Sequence, residues 1–243
     1  MPDPRSVIEK LESSPALPKR DDECFTGYVV MGLTFQSGHV LGLRKWAASS
    51  IGPAYTAVWH RSPDDQWTTY SDLTSRLACS RYIGAQLQST HEMPIVVTWP
   101  EPFRLHVAIP DVGLEWDIEV APTPAARLMN AVARIIPRAA WRNSSFLSAL
   151  SLVVGPILGA GRVRLTGTMP NGQYFIANPR LIWMIKRSHA TLAGEDFDIP
   201  APLGEQSRLG GFWIPQRGVL AVGDICFEPF DPSRHSDQLT IAG

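Results

Sequence analysis

Among the side chains of this sequence, His106 and Asp117 form the pair best suited to acid–base chemistry. A carboxylate beside an imidazole fixes its tautomer and raises its basicity, as a general base requires. Both lie in a segment with two-residue alternation. Phe103, Leu105, Val107 and Ile109 alternate with Arg104, His106 and Ala108, and Leu114, Trp116, Ile118 and Val120 alternate with Glu115, Asp117 and Glu119. Pro110-Asp111-Val112-Gly113 separates the two runs, so the segment reads as a hairpin with one apolar face. A turn centred on Asp111 and Val112 sets His106 across from Asp117 and Arg104 across from Glu119. Slipping by one residue would set both basic side chains opposite apolar ones, so the charges favour this register. The pair is catalytic only if its face lines a cavity. On an ordinary one-sided strand that face is wet, and the ion pairs on it contribute little.

The remaining chemistry is read by exclusion. His39, His60, His91, His106, His189 and His235 form no HxH, HExxH or HxxxH pattern, and no cysteine stands beside them, so no metal is expected. Gly159-Ala160-Gly161 begins a GxG, but Arg164 occupies the third glycine position and a helical run precedes it where the dinucleotide fingerprint needs a strand. There is no GxSxG and no Walker lysine, so neither a covalent nucleophile nor a cofactor is expected. The net charge of −1 gives no bulk attraction for nucleic acid. Cys24, Cys79 and Cys226 are odd in number and widely spaced, which suits reduced thiols in a cytoplasmic protein.

The eight tryptophans are a heavy load for 243 residues, and most fall on or near strands. Trp59, Trp116, Trp183 and Trp213 are candidates to wall an apolar pocket. Arg217 follows Phe212-Trp213-Ile214-Pro215-Gln216 at a position where a barrel mouth would let it meet a polar ligand group.

These residues need elements to position them. A second hairpin is expected over 55–70, turning at Ser62-Pro63-Asp64-Asp65, and a third over 163–177 through Pro170-Asn171-Gly172. Asn178-Pro179 breaks the strand before Leu181, Trp183 and Ile185 resume the alternation. Further strands are expected over 218–228 and within 28–43. Thr123 caps a helix with Pro124 at its first position. On it Leu128, Val132, Ile135 and Ile136 form the packed face, and Arg127, Asn130, Arg134 and Arg138 the wet one. A second helix spans 146–158, capped by residues 143–145 and ended by Gly159, and a short one lies within 77–88. The apolar 146–161 window is too short to span a bilayer. The basic helix followed by an apolar one does offer a surface for transient contact with an anionic membrane.

Hairpins without one-for-one helices argue for an antiparallel barrel. The expected layout is an N-terminal tail over 1–22, one mainly β barrel domain over 23–229 with helices inserted around 123–160, and a C-terminal tail over 230–243. The arrangement resembles the lipocalin-like calycin proteins of the carotenoid hydratase and AttH type. The likeness is carried by Leu114-Glu115-Trp116-Asp117-Ile118-Glu119-Val120 followed by Ala-Pro, and by the segment GRVRLTGTMPNG at 161–172. It implies a barrel holding an apolar small molecule, sometimes with acid–base chemistry upon it. The reading from sequence is therefore a barrel whose cavity binds a hydrophobic small molecule such as a lipid, isoprenoid or polyketide. The alternatives are a cofactor-independent isomerase, cyclase or hydratase using His106 and Asp117, and a structural or interaction domain.

Overall fold

The computed structural model describes residues 1–137 and 139–236. Helix α1 (Pro4–Ser13) leads into strands β1 (Glu23–Thr34), β2 (Val40–Ser49), β3 (Tyr55–Arg61) and β4 (Trp67–Ser71). A one-turn helix α2 (Ser80–Ile83) precedes β5 (Leu87–Glu92), β6 (Val96–Glu101), β7 (Arg104–Ile109) and β8 (Leu114–Ala121). Helices α3 (Pro124–Ile135) and α4 (Ser144–Leu158) follow. The chain ends with β9 (Thr166–Thr168), β10 (Tyr174–Leu192), β11 (Glu195–Asp196), β12 (Arg208–Leu209), β13 (Phe212–Trp213) and β14 (Val219–Phe227).

The main sheet runs β5-β4-β3-β2-β1-β14-β10-β8-β7-β6, with β9 and β11 added to β10. Only β4 with β5 is parallel among its pairings. Its two end strands, β5 and β6, are joined by residues 93–95 alone. That link spans at most about 14 Å, so the sheet must curl until its edges are neighbours. The architecture is mainly β and barrel-like, as expected, but it is a half-barrel whose edges meet through the chain and not through a ladder. Tyr70 and Val58 from one end of the path and Leu105 and Val107 from the other belong to one buried cluster, which places that cluster on the concave side.

The hairpin of β7 and β8 has the expected register, with His106 opposite Asp117 and Arg104 opposite Glu119. Thr123 caps α3 by accepting from the Ala126 amide, Asn143 caps α4 by accepting from the Phe146 amide, and Gly159 ends α4 in the left-handed conformation.

Five local expectations are corrected. Residues 28–43 hold parts of two strands, β1 and β2, which pair with each other. Asn178-Pro179 does not end a strand: β10 continues through it because Arg180 is accommodated as an extra residue between the pairs Pro179–Gly223 and Leu181–Val222. The stretch read as a tail contains α1, whose Ile8 is fully buried in the concave cluster with Val7 and Leu11 packed beside it. Helix α3 is rotated from its expected orientation. Asn130 is buried, donating to the Ile182 carbonyl and accepting from the Ile182 amide, while Leu128 and Ile135 face outward. Arg138 lies outside the described residues. Finally, Cys24 and Cys226 are opposite each other on β1 and β14 and form a disulfide, leaving Cys79 as the free thiol. This removes the premise on which the cytoplasmic expectation rested. Of the segment read as a C-terminal tail, residues 230–236 are described, and His235 is buried beside Glu228; residues 237–243 lie outside the described residues.

At the bulge, an added Cβ on Gly223 would lie 2.2 Å from the Asn178 carbonyl oxygen, whereas one on Gly204 would meet nothing within 4 Å. Gly223→Ala is expected to cost about 2–3 kcal/mol in chemical denaturation, and Gly204→Ala to stay within about 0.5 kcal/mol of the parent.

Candidate functional site

The half-barrel separates two apolar compartments. On the concave side Trp116, Trp183, Tyr28, Leu43, Val58 and Val222 fill the space together with Ile8 of α1. On the convex side the strands β1, β2, β3, β14 and the first half of β10 are covered by α2, α3, α4 and the segment around β12 and β13. That cover is incomplete. Three narrow voids run beneath it, of about 50, 70 and 30 Å³. The first lies under α3 and α4 and shares Met31, Leu165 and Pro179 with the second. The second shares Arg44, Trp46, Phe212 and Ile225 with the third, so the voids form a chain.

Arg44 stands where the second and third voids meet. On β2 it shares a face with Gly42 and Trp46, and an added Cβ on Gly42 would lie 3.1 Å from its Nη1, so glycine makes room for the guanidinium. The group is 4% exposed, which for a cation requires compensation. Part comes from the backbone: Nη1 donates to the Val30 and Leu43 carbonyls at 2.7 and 2.9 Å, and Nη2 to the Met31 carbonyl at 3.1 Å. Part comes from stacking, with Cζ 3.9 Å from the Trp59 ring centroid. Three of the five N–H groups of a guanidinium are thereby used. Among the described residues no carboxylate lies within ion-pair distance of it.

Burial lowers the pKa of Arg44 to about 10, which leaves it cationic at neutral pH. Burial also raises the pKa of the neighbouring Cys79 thiol, so it stays protonated and supplies no counter-charge. Trp46 lines the same voids, and its buried Nε1 has no partner among the described residues. The result is an apolar slot with one cation that lacks a counter-ion and a spare N–H beside it. Such a slot suits an apolar molecule that ends in an anion.

The residues singled out from sequence do not converge. His106 and Asp117 do pair, Nδ1 to Oδ1 at 3.0 Å, and Glu115 lies 3.0 Å from the other ring nitrogen. They stand on the convex face away from the inserted helices, and the His106 and Asp117 side chains are 29% and 68% exposed. Asp117 borders an open groove of about 700 Å³ shared with Arg104, Glu119, Lys186 and Arg187. Trp116 and Trp183 are in the concave core, Trp59 is on Arg44, Trp213 is half-buried with Arg162 4.9 Å over its ring, and Arg217 is exposed. Pattern reading missed Arg44. The available signal was a lone charge on a strand face otherwise made of Val40, Gly42 and Trp46.

A second missed cluster joins distant parts of the chain. His39 Nδ1 and His60 Nε2 share a hydrogen bond of 2.9 Å, His39 Nε2 lies 3.3 Å from Glu195, and Phe197 stacks on His39 at 3.8 Å. It borders none of the three voids. Among the described residues no three His, Cys, Asp or Glu side chains converge as metal ligands would.

No family model matches the sequence, and no curated protein matches it. A crystal structure of acetoacetate decarboxylase from Legionella pneumophila is similar over 91% of this chain and 93% of that one, with 11% identity and a TM-score of 0.42. At that distance the match carries no statement about activity. The likeness to carotenoid hydratase and AttH proteins finds no counterpart in these comparisons.

Burial, and then the facing His39, lower the pKa of His60 from 6.5 to about 4. The folded state therefore holds His60 neutral where the unfolded chain would protonate it. Its contribution to stability is complete above pH 6.5 and is lost as pH falls towards 4. Denaturation curves across that window should show a loss of roughly 3 kcal/mol from this residue, and the loss should be absent in His60→Gln.

Proposed function

We propose that the protein binds a hydrophobic small molecule bearing an anionic head, with the apolar part beneath α3 and α4 and the head on Arg44. The observation that carries this reading is the buried guanidinium without a counter-ion, set among apolar voids. A fully desolvated cation is costly, and the cost falls when a carboxylate accepts its unused N–H groups. Compared with the barrel-cavity reading, the ligand moves from the concave to the convex side, because the concave side is filled by Trp116, Trp183 and α1.

The voids are far smaller than the ~300–1,000 Å³ of ordinary ligand pockets. Binding therefore requires α3 and α4 to part from the sheet. In that movement α3, which meets the sheet mainly through Ala126, Met129 and Asn130, gives up the two hydrogen bonds between Asn130 and Ile182. The acid–base alternative, with His106 and Asp117 acting on a substrate, has an exposed pair at an open groove and lacks the enclosure that such chemistry on an apolar compound needs.

The test is a matched series of saturated alkyl carboxylates and alkyl alcohols, read by native mass spectrometry and by tryptophan emission. One carboxylate per chain should bind roughly 10- to 100-fold more tightly than the alcohol of equal length, as expected for hydrogen bonds to a charged group. Arg44→Met should remove that preference. Absence of any bound species, or equal binding of acid and alcohol, contradicts the reading.

A further inference from the structure

The large apolar side chains left in solvent are concentrated on the inserted helices. Ile135 is 79% exposed, Leu152 74%, Leu128 53% and Val153 50%, and Ile157 and Phe146 are exposed as well. They result from how the helices seat. Helix α3 turns Ala126 and Asn130 to the sheet, and α4 turns Leu147, Ser151, Val154 and Leu158 inward. The outward face of α4 is then Phe146, Ala149, Leu152, Val153, Pro156 and Ile157, with serines at its first turn and no charged group on it. The outward face of α3 carries Arg127, Leu128, Ala131, Arg134 and Ile135. Both helices lie on the same side of the sheet.

The charge of the segment that builds this face has one sign. From Val120 to Gly194 the sequence contains no Asp or Glu, although the whole chain has a net charge of −1. Arg127 and Arg134 stand on α3, and Arg142, Arg162 and Arg164 flank the two ends of α4. All five are exposed, and none has a carboxylate partner among the described residues. A soluble surface seldom combines an uncharged apolar helix face with unpaired cations. A second copy of the chain is a poor occupant, because an isologous contact would set these arginines against their own equivalents.

We infer that the α3–α4 face docks on an anionic lipid surface, with the apolar side chains of both helices entering the interface and the arginines meeting lipid phosphates. Helix α4 lies in the plane of the interface, since no helix of the described chain is long and apolar enough to cross a membrane. The inference stands on exposure and charge alone and does not depend on whether Arg44 holds an acid.

Vesicle flotation with the full chain tests it, using phosphatidylcholine vesicles and equimolar phosphatidylcholine–phosphatidylglycerol vesicles. The parent protein should float with the anionic vesicles, not with the neutral ones, and should be released at about 1 M salt, where the Debye length is ~3 Å. The double variant Leu152→Glu, Val153→Glu should lose flotation. Arg127→Gln with Arg134→Gln should weaken it by roughly fivefold per arginine. All four positions are exposed, and unfolding curves matching the parent's would confirm intact folds. Failure to bind anionic vesicles, equal binding to neutral ones, or variants that float like the parent would overturn the inference. So would a parent dimer in sedimentation that Leu152→Glu converts to a monomer.

Discussion

Strand β10 pairs with β14, β9, β8 and β11, and between Pro179 and Leu181 it carries one residue more than β14 opposite. Because side chains alternate with a period of two, that extra residue exchanges the faces of the residues after it as far as Ile185, where a second shift against β8 exchanges them again. Before the bulge Phe175 and Ala177 face the convex compartment; after it Leu181, Trp183 and Ile185 face the concave one, and Ile182 and Met184 lie under the inserted helices. The bulge is tied down chemically. Arg180, the extra residue, pairs at 2.6 Å with the nearly buried Asp224, which also accepts a hydrogen bond of 2.7 Å from Thr26 on β1. Proline at 179 has no amide to leave unpaired there, and Gly223 lets the two backbones close.

From that exchange the two compartments follow. The concave one receives Trp116, Trp183 and Tyr28 and is plugged by Ile8 of α1. The convex one is aromatic at one end, with Trp46, Trp59 and Trp67, and towards α3 and α4 it receives smaller side chains, Ala221, Gly223, Ala177 and Ile182, under helices that meet it through Ala126 and Asn130. Smaller side chains under a loose cover leave space, and Arg44 puts a cation beside it. The ligand reading thus rests on packing geometry before it rests on charge.

Much of the fold was legible. The register of β7 with β8 followed from charge placement, and the caps Thr123, Asn143 and Gly159 followed from residue type. Less local features were not. Asn178-Pro179 reads as a breaker because only tertiary pairing reveals that β14 tolerates a bulge opposite it. The orientation of α3 was misread because Asn130 is polar in sequence, yet satisfies both backbone groups of Ile182 that the bulged strand leaves open. Cys24 and Cys226 are 202 residues apart, and no spacing rule connects them. Of the candidate site, Trp59 was visible as a strand aromatic, whereas Arg44 looked like one more surface charge because burial of its strand face depends on α2 and the segment around Phe212.

The account stands on where an apolar acid would lodge. A crystal structure of the protein with an ω-bromoalkyl carboxylate, phased to locate the bromine by its anomalous signal, tests this directly. The account predicts the carboxylate on Arg44 and bromine density under α3 and α4, near Met31 and Leu165. Bromine on the concave side, beside Tyr28 and Trp183, would contradict it.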